Sequence, residues 1–331
     1  MTLRRSFMLS AALAAAVLSS GAQAADVNMV LNWVPTADHS PYFYAKSQGW
    51  YEEAGIDLAI EAGRGSGAAA QRVGAGFSQI GVADMATVLL TKGQGGDAVA
   101  IMTVYANSPQ GFYWLKKSGI TGPKDFPGHS IGNPPADASR VMWPLFAETV
   151  GIAQDSVNFV NVSPQAKLTS LKSGAIDITS DFYNEHDLKM REFGDDLGFV
   201  AWRDIGINPY GNSIIVNGAF LNDNKELVAK FAAVTQRAFA ACVENVEPCL
   251  EALMAEVSGL DHDNQVDQWN RIIELMTDPT TTTVALGAFD SARMDADYKT
   301  VETYFDLEKP FDVKTVYTNE FLDQSIKMPA R

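Results

Sequence analysis

The sequence predicts a two-lobed α/β protein with a ligand cleft between the lobes. Short runs rich in β-branched residues alternate with helical patterns, which is the arrangement that packs helices against a sheet. The alternation occurs as two successive sets, and helical periodicity takes over from about Asn222. Two such sets indicate two lobes, and α/β sheets usually bind small molecules at the carboxyl ends of their strands.

The first set contains predicted strands with helices between them. We expect the strands at Val27–Leu31, Ile56–Ala62, Gln79–Ala83 and Val99–Val104. The helices are predicted at Pro41–Ala54, Ala68–Ala75 and Ala86–Gly93. Strand–helix–strand alternation predicts a parallel sheet that helices cover on both faces.

The second set begins after a crossing near Ala106–Gly111 and ends with a return near Pro209–Ser213. Its strands are predicted at Gly111–Leu115, Ser130–Gly132, Val157–Val160, Ile176–Thr179 and Gly198–Ala201, and its helices near Ala138–Val150, Gln165–Ser173 and Asn184–Phe193. Apolar residues at helical spacing then predict helices at Lys225–Val243, Pro248–Val257, Val266–Met276 and Ala288–Thr303. We therefore expect a first lobe of residues 25–108 with 212–331 and a second lobe of residues 109–211.

The N-terminus has the pattern of an export signal. Arg4 and Arg5 precede an apolar run, Phe7–Leu18, and Ala22-Gln23-Ala24 forms a small-residue cleavage site. The apolar run is too short to cross a bilayer, which takes roughly 20 residues. Paired arginines also loosely match a twin-arginine signal, but ordinary Sec signals carry them as well, and we expect Sec export. Residues 1–24 are thus predicted to be a cleaved signal peptide, and the mature protein is predicted to be periplasmic.

The charge of the chain excludes two classes of partner. The formal net charge is −15 at pH 7. Nucleic acids and anionic membranes attract clustered Lys and Arg, so a strongly acidic chain is not expected to bind either.

Cys242 and Cys249 are the two cysteines, and six residues separate them beside Pro248. In an oxidising compartment this spacing predicts a disulfide, with two buried thiols as the alternative. The cysteines and the four scattered histidines form no metal-binding motif, and we expect no metal and no cofactor.

The loop after the first predicted strand carries the strongest candidates for ligand contact. Trp33 can stack on a flat heteroaromatic ring, although a core or hinge position is the alternative. Asp38 and His39 offer an acceptor and a donor on one loop, as an aminopyrimidine requires; His39 could instead cap the following helix. Tyr42 lies in the first turn of that helix and is a further candidate.

Two more junctions of the first lobe are candidates. The run Gly63–Gly67 joins a strand to a helix, and Gly65 and Ser66 are expected to bring backbone N–H groups to a ligand. A tight turn alone is the alternative, and the run lacks the Gly-Lys-Ser/Thr ending of a P-loop. Asp84 also follows a strand, where it could cap the next helix or accept from a ligand amine.

The second lobe supplies polar and aromatic residues from equivalent junctions. Asn133 and Ser139 lie in and after a strand-to-helix loop and are expected to face the cleft. Tyr183 and Glu185 follow another strand, and a strand-end cluster with an aromatic ring and several acceptors is typical of a cleft wall. Tyr210 lies in the return crossing, where a hinge residue can also touch a ligand.

The segment after the first predicted strand carries the pattern Asn32-Trp33-x-Pro35-x-x-x-His39-x-Pro41-x-x-x-Ala45, followed by Gly49-Trp50-Tyr51-x-x-x-Gly55-Ile56. In this pattern the chain resembles solute-binding proteins of ABC importers. The similar group has the type II periplasmic-binding fold and covers thiamine-pyrimidine precursors, riboflavin, sulfonates, taurine and nitrate. Gly81-Val82-Ala83-Asp84 and Leu171-x-x-Gly174-x-Ile176-Asp177 fit the group without indicating a ligand. The opening motif most resembles the thiamine-pyrimidine-precursor branch, which includes hydroxymethylpyrimidine synthase-like proteins.

The resemblance implies a monomeric binding protein that closes on a small molecule and presents it to a membrane permease. A thiamine-related pyrimidine, such as a formylaminopyrimidine or a hydroxymethylpyrimidine, is the expected ligand. A sulfonate, taurine or nitrate ligand is the first alternative, but it would demand convergent Arg or Lys side chains. An enzyme of thiamine-pyrimidine synthesis is the second; the resemblance would place His39 and Lys46 near its reactive His and Lys. That enzyme carries a Cys-rich metal-binding segment, which this sequence lacks.

Overall fold

The computed structural model describes residues 24–330, so the predicted signal peptide lies outside the described residues except for Ala24. Ten strands occur in this part of the chain: β1 (Ala25–Val30), β2 (Ile56–Glu61), β3 (Ile80–Asp84), β4 (Ala98–Thr103), β5 (Gln110–Leu115), β6 (Ser130–Asn133), β7 (Asn158–Asn161), β8 (Ile178–Phe182), β9 (Leu197–Ala201) and β10 (Asn212–Asn217). They form two five-stranded sheets, with strand orders β2-β1-β3-β10-β4 and β7-β6-β8-β5-β9. We call the first sheet with its helices the first lobe and the second sheet with its helices the second lobe. The predicted two-lobed α/β fold is confirmed.

Both sheets are mixed, which corrects the expectation of parallel strands. In the first sheet β1 pairs in parallel with β2 and β3, whereas β10 runs antiparallel to β3 and β4. In the second sheet β6 pairs in parallel with β7 and β8, whereas β5 runs antiparallel to β8 and β9. The antiparallel strands β5 and β10 are those that enter each sheet from the other lobe. Their direction depends on where the chain crosses, which local sequence patterns do not encode.

The helices of residues 24–330 are α1 (Ser40–Ser47), α2 (Trp50–Glu53), α3 (Ser66–Gly74), α4 (Met85–Gly93), α5 (Ala138–Val141), α6 (Trp143–Val150), α7 (Lys167–Ser173), α8 (His186–Phe193), α9 (Gly218–Asp223), α10 (Lys225–Glu244), α11 (Glu247–Glu256), α12 (His262–Met276), α13 (Pro279–Thr283) and α14 (Ser291–Tyr304). Short 3₁₀ turns precede several of them. Within these residues no helix combines the length and the apolar character needed to span a membrane.

Two predicted helices are each divided in two. The segment predicted at Pro41–Ala54 is broken at Gly49, whose φ of 71° lies in the left-handed region that favours glycine. The segment predicted at Ala138–Val150 is broken at Met142, and Pro144 lies in the first turn of α6. Proline has no backbone N–H and fits the start of a helix better than its interior, so a new helix begins there.

Two connections join the lobes, and they run side by side. Residues 104–109 lead from β4 to β5, and residues 202–211 lead from β9 to β10. The Gly211 backbone N–H donates to the Tyr105 carbonyl at 2.9 Å. A Cβ atom on Gly211 would lie 2.6 Å from Pro109 Cδ, so this close approach needs glycine. Paired connections of this kind form a hinge that can bend with little change inside either sheet.

The C-terminal helices complete the core of the first lobe. Helices α10 and α11 pack against α1, and the Tyr51 hydroxyl contacts Thr235 Oγ1 of α10 at 2.8 Å. Cys242 and Cys249 are both fully buried, and their Cα atoms lie 5.9 Å apart, within the range that a disulfide spans. The pair stands where a bridge would tie the end of α10 to the start of α11.

We predict that Cys242 and Cys249 are oxidised in the mature protein and that reduction destabilises it by about 2 kcal/mol, the loop-closure entropy of a short loop. Alkylation of unfolded, unreduced protein should add no label, whereas alkylation after reduction should add label at both cysteines. The double variant Cys242→Ser/Cys249→Ser should show the same loss in chemical denaturation. Labelling without reduction would contradict the prediction.

Candidate functional site

A narrow cavity with a free volume of about 30 Å³ lies between the lobes. It sits at the carboxyl ends of β1 and β2 in the first lobe and of β6 and β8 in the second lobe. The first lobe contributes Asn32, Trp33, Thr36, Asp38, Gly65 and Ser66. The second lobe contributes Asp137, Ala138, Ser139, Lys167, Asp181, Phe182, Asn184 and Glu185. The cavity therefore brings together these residues predicted from sequence: Trp33, Asp38, Gly65, Ser66, Ser139 and Glu185.

The lobes touch through main-chain atoms at one edge of the cavity. The Gly67 backbone N–H donates to the Ala136 carbonyl of the second lobe at 3.1 Å. Gly65 has a φ of 128°, and a Cβ atom there would lie 2.2 Å from the same carbonyl oxygen. The Gly65 N–H in turn donates to the Asn32 carbonyl at 2.7 Å. The glycine-rich run thus allows the two lobes to meet without a side chain between them.

His39 stands behind the cavity wall, which corrects the expectation of a direct ligand contact. The Thr36 backbone N–H donates to His39 Nδ1 at 3.1 Å, so the ring caps the 3₁₀ turn at Ala37–His39. The other ring nitrogen, Nε2, lies 3.0 Å from Asn32 Oδ1. Burial lowers the pKa of His39, although the neighbouring Asp38 carboxylate and a hydrogen bond with the Thr36 backbone raise it. The ring therefore caps the turn that contains it and not the following helix α1, to which the His39 side chain makes no cap hydrogen bond.

Asp38 lines the cavity, whereas Tyr42 lies in the core beneath it. The Asp38 carboxylate accepts from Thr36 Oγ1 at 2.8 Å and from Asn212 Nδ2 of β10 at 3.3 Å. Tyr42 is buried with its ring edge-on to Phe239 of α10, the ring centroids 5.5 Å apart. This packing corrects the expectation that Tyr42 contacts the ligand.

Asp84 caps a helix and connects to the cavity through two other side chains. Its carboxylate accepts from the Ala86 backbone N–H at 3.1 Å, at the start of α4, and from Gln110 Nε2 at 3.0 Å. Gln110 Oε1 accepts from the Ser139 hydroxyl, which faces the cavity. Burial raises the pKa of Asp84 to about 6. The expected contact with a ligand amine is thus corrected to an indirect role.

Lys167 is buried in the second-lobe wall. Its Nζ lies 2.8 Å from Asp181 Oδ1 and 3.4 Å from Asp137 Oδ2, and it stands 4.8 Å from the centre of the Trp33 ring across the cleft. Asp181 also pairs with Lys189 at 2.8 Å. Burial alone would raise the pKa of Asp181, but the two lysines hold it below its usual range.

Asn184 and Glu185 place hydrogen-bond acceptors on the same wall. Asn184 Nδ2 donates to Gln268 Oε1 of α12 at 3.2 Å, and Asn184 Oδ1 has no hydrogen-bond partner among the described residues. Burial raises the pKa of the Glu185 carboxyl, and Lys189 partly offsets this effect. An unpaired buried acceptor favours a ligand that donates to it.

Asn133 and Tyr183 do not line the cavity, in contrast to the expectation. Asn133 is fully buried and donates to Ser180 Oγ at 3.1 Å. The Tyr183 ring lies between two guanidinium groups, with Arg203 Cζ at 4.2 Å and Arg271 Cζ at 5.0 Å from the ring centre. Its hydroxyl accepts from Arg271 Nη1 at 2.8 Å, so the ring belongs to a contact between the lobes.

Tyr210 lies in the hinge rather than in the cavity, which corrects its assignment as a ligand contact. Its backbone N–H donates to Asp297 Oδ2 at 3.0 Å, and its hydroxyl accepts from the Asp290 backbone N–H at 2.8 Å. Asp290 is the N-cap of α14 and Asp297 lies in the middle of the same helix, so Tyr210 fixes the return connection to the C-terminal region.

Ion pairs between α8 and α12 form a second contact between the lobes, outside the cavity. Arg271 Nε donates to Asp187 Oδ2 at 2.8 Å and Arg271 Nη2 donates to Asp187 Oδ1 at 3.0 Å, a two-pronged pair. In the reverse direction, Arg191 of α8 pairs with Asp267 and donates to Asn264 Oδ1 at 2.8 Å. We call these four charged residues the α8–α12 clasp.

The cavity is acidic overall. Carboxylates outnumber amino groups among the residues that line it: Asp38, Asp137, Asp181 and Glu185 against Lys167. Within residues 24–330 no three His, Cys, Asp or Glu side chains are grouped as metal ligands. Lys46 lies outside the cavity with its Nζ 3.3 Å from Glu256, so no His39–Lys46 pair faces a ligand.

Sequence reasoning missed several residues that line the cavity. Asp137, Asp181 and Asn184 stand in the same strand-end loops as predicted residues, so their proximity to a predicted residue was the available signal. Asn32 directly precedes Trp33 in the opening motif. Lys167 begins α7 and gave no signal of its own, because a lysine at a helix start is usually exposed.

The relatives of this chain among known proteins include proteins named as ligand-binding proteins and proteins named as synthases. A formylaminopyrimidine-binding protein of Halalkalibacterium halodurans is 22% identical over 69% of this chain and 69% of its own length. A riboflavin-binding protein of Chloroflexus aurantiacus is 23% identical over 89% of this chain and 86% of its own length. A 4-amino-5-hydroxymethyl-2-methylpyrimidine phosphate synthase of Legionella pneumophila is 24% identical over 89% of this chain and 92% of its own length.

The fold also matches solved structures. An alkanesulfonate-binding protein of Xanthomonas axonopodis pv. citri superposes with a TM-score of 0.67 at 12% identity, over 90% of this chain and 99% of that one. The two sheets and the cleft between them have the two-lobed fold of periplasmic-binding proteins. The family described as NMT1/THI5 like matches residues 36–247, and this chain belongs to that family.

We predict that Asp297→Asn removes a pH-dependent destabilisation of the hinge. Burial raises the pKa of Asp297 to about 7, whereas an unfolded aspartate titrates near 4. The folded state therefore binds more protons between these values, and the free energy of unfolding falls as pH rises from about 4 to 7. Asparagine can still accept from Tyr210 without ionising. The variant should gain thermal stability over the native protein as pH rises from 5 to 8.

The control is Asp295→Asn, an exposed aspartate on the same helix. Unfolding temperatures of the three proteins across this pH range test the prediction. A constant difference between Asp297→Asn and the native protein at all pH values would contradict it.

Proposed function

We propose that this protein is the periplasmic substrate-binding component of an ABC transporter and that it captures a flat nitrogen heterocycle carrying hydrogen-bond donors. A thiamine-related pyrimidine precursor is the ligand that the site favours. The observation that carries the proposal is the composition of the cavity, which combines the Trp33 indole with carboxylate and amide acceptors from both lobes.

Trp33 supports an aromatic ligand. An indole in a cleft can stack on a heteroaromatic ring, which contributes on the order of 1 kcal/mol beyond the burial of area. Lys167 stands 4.8 Å from the ring centre and packs against it from the second lobe, so the indole has support from protein atoms. A supported ring is better ordered for stacking than a mobile one.

The charges of the cavity favour a ligand with amino groups over an anion. Asp38 and Glu185 line opposite lobes, and Asn184 Oδ1 is an unpaired acceptor beside Glu185. The cationic side chain that lines the cavity, Lys167, is already paired with Asp137 and Asp181. A sulfonate would enter a site where carboxylates predominate and the amino group is occupied, so we rank it as the alternative.

The relatives agree with this order of ligands. A formylaminopyrimidine-binding protein and a riboflavin-binding protein both have names that specify nitrogen heterocycles. An enzymatic function like that of the synthase relative is the weaker alternative, because His39 uses both ring nitrogens within its own loop and Lys46 lies outside the cavity.

Ligand capture is proposed to occur by closure of the lobes about the hinge. We propose that residues 25–108 with 212–331 and residues 109–211 move as the two lobes. A ligand that contacts both walls shifts the equilibrium toward the closed form by its differential affinity for that form. The closed monomer would then be presented to the permease, after Sec export and removal of residues 1–24.

The ligand class is tested by thermal unfolding of refolded, ligand-free mature protein. Pyrimidine precursors of thiamine should raise the unfolding temperature, since a ligand at 100 times its Kd adds about 2.7 kcal/mol of stability. Taurine, alkanesulfonates and nitrate should give no shift. A shift with sulfonates alone would refute the ligand class, and a shift with riboflavin alone would assign a larger heterocycle.

Trp33→Ala should then weaken binding of that heterocycle by about tenfold or more, as loss of stacking and of the buried ring surface implies. Trp50→Ala is the matched control, because Trp50 is also half-buried but packs against Tyr44 and Arg237 outside the cavity. Calorimetric titration of both variants provides the measurement. Equal affinities for Trp33→Ala and Trp50→Ala would remove Trp33 from the site.

The α8–α12 clasp predicts an affinity change at a distance from the ligand. Arg271→Gln removes the two-pronged pair with Asp187 and should raise the ligand Kd about two- to fivefold, because a half-exposed pair contributes up to about 1 kcal/mol. Added salt should weaken binding to the native protein more than to the variant.

Arg72→Gln is the control, since Arg72 pairs with Glu61 inside the first lobe. An unchanged Kd in Arg271→Gln, with the control also unchanged, would show that the clasp does not favour the closed form.

A further inference from the structure

Asn32 presents a carboxamide to the cavity, and the two ends of that group have opposite hydrogen-bonding character. Its oxygen accepts and its NH₂ group donates. Asn32 is buried and lies two residues after the end of β1, at the wall that also carries Trp33. The end of the carboxamide that faces the ligand determines whether the ligand needs an acceptor or a donor at this point.

The orientation follows from the His39 ring. The Thr36 backbone N–H can only donate, and it lies 3.1 Å from Nδ1, so Nδ1 accepts and carries no proton. A neutral imidazole must then carry its proton on Nε2. Nε2 lies 3.0 Å from the Asn32 carboxamide, and the N–H there requires an acceptor. The carboxamide oxygen therefore faces His39.

A change in the protonation of His39 leaves this orientation intact. Asp38 Oδ1 lies 3.1 Å from Nδ1 and would be the partner of a proton on that nitrogen. The imidazolium ring would still carry a proton on Nε2 and still donate to the Asn32 oxygen. Only the neutral ring with its proton on Nδ1 would release the carboxamide, and the Thr36 N–H opposes that form.

We propose that His39 is a positioning residue, which holds the Asn32 oxygen against the imidazole and directs the Asn32 NH₂ group to the ligand. The inference rests on the proposed function, and it deepens it by adding a donor to a cavity otherwise rich in acceptors. The ligand then needs a hydrogen-bond acceptor, such as a ring nitrogen, on the side of Asn32. Its donor groups are met by Asp38 and by Asn184 and Glu185 of the second lobe.

The Ser139 hydroxyl of the second lobe is also oriented by a chain of hydrogen bonds. The Asp84 carboxylate accepts from Gln110 Nε2, so the Gln110 oxygen accepts from the Ser139 hydroxyl. Ser139 thus uses its proton within the protein and presents oxygen lone pairs to the cavity. The predicted pattern around the ligand includes a donor at Asn32 and acceptors on the facing wall.

The first test reads the ring itself and needs no ligand. The chain contains four histidines, so ¹⁵N-histidine labelling of the full mature protein gives a short set of imidazole signals, and the one lost in His39→Gln is assigned to His39. The ¹⁵N shifts and the ring-proton couplings should show an unprotonated Nδ1 and a protonated Nε2. A proton on Nδ1 alone would overturn the proposal, whatever the protein binds.

The second test compares three ligands in each variant. The probes are 4-amino-5-hydroxymethyl-2-methylpyrimidine and the pyridines in which one or the other ring nitrogen is replaced by C–H. The native protein should prefer the pyrimidine over one of these pyridines by about tenfold, the value of one hydrogen bond of about 1.4 kcal/mol. In His39→Gln that preference should fall to about twofold or less, because the carboxamide is no longer held.

Asn32→Asp keeps an acceptor for His39 but replaces the NH₂ group by oxygen. It should abolish or reverse the same preference, since an oxygen repels the ring nitrogen. Asn158→Asp adds an equal charge at an exposed position and should keep the native preference. Retention of the tenfold preference in Asn32→Asp would overturn the proposal. If the native protein binds none of the three probes, the proposed ligand fails, and the ring signals still decide the role of His39.

Discussion

The buried amino group of Lys167 is the constraint on which the second-lobe wall of the cleft depends. A buried charge is tolerated when it is paired and hydrogen-bonded, and Lys167 is held by Asp137 and Asp181. Asp137 also accepts from the Ser139 backbone N–H and from Ser180 Oγ, so the same carboxylate fixes the start of α5. The two ion pairs of Lys167 therefore connect the end of β8 with the segments that follow β6 and β7. Removing Asp181 would leave the buried Lys167 with only the longer contact to Asp137, in the wall that faces Trp33.

Local patterns predicted nine of the ten strands of residues 24–330, but they missed β10 and gave neither strand direction nor side-chain direction. The sequence analysis assigned the region of β10 to the return crossing, whereas the chain there enters the first sheet from the other lobe and runs antiparallel to β3 and β4. Strand ends correctly located Trp33 and Glu185 at the cavity. His39, Asp84 and Tyr183 occupy equivalent strand-end loops, but their side chains point elsewhere. His39 accepts from the Thr36 backbone N–H, Asp84 accepts from the Ala86 backbone N–H, and the Tyr183 hydroxyl accepts from Arg271. The direction of Tyr183 thus depends on a neighbour that is distant in the chain.

The site consists of residues that line the cavity and of residues behind them that fix their hydrogen bonds. Residues that reach the cavity, such as Asp38 and Ser139, have their hydrogen-bonding character set by residues behind them. Thr36 donates to Asp38, and Gln110 accepts from Ser139. The cavity therefore offers a fixed pattern of donors and acceptors before a ligand arrives, which lowers the conformational cost of binding.

The lobes approach each other at Gly65 and Gly67, whose backbone lies against the Ala136 carbonyl of the second lobe. The geometry of this junction does not depend on which side chains surround the ligand. Under the proposed closure, substitutions at Trp33, Asp38 or Glu185 would change the surface that faces the ligand and leave this junction in place. A scaffold of this kind is suited to diversification of its cargo, and equally to conversion into an optical sensor whose recognition surface is redesigned independently of its mechanical response.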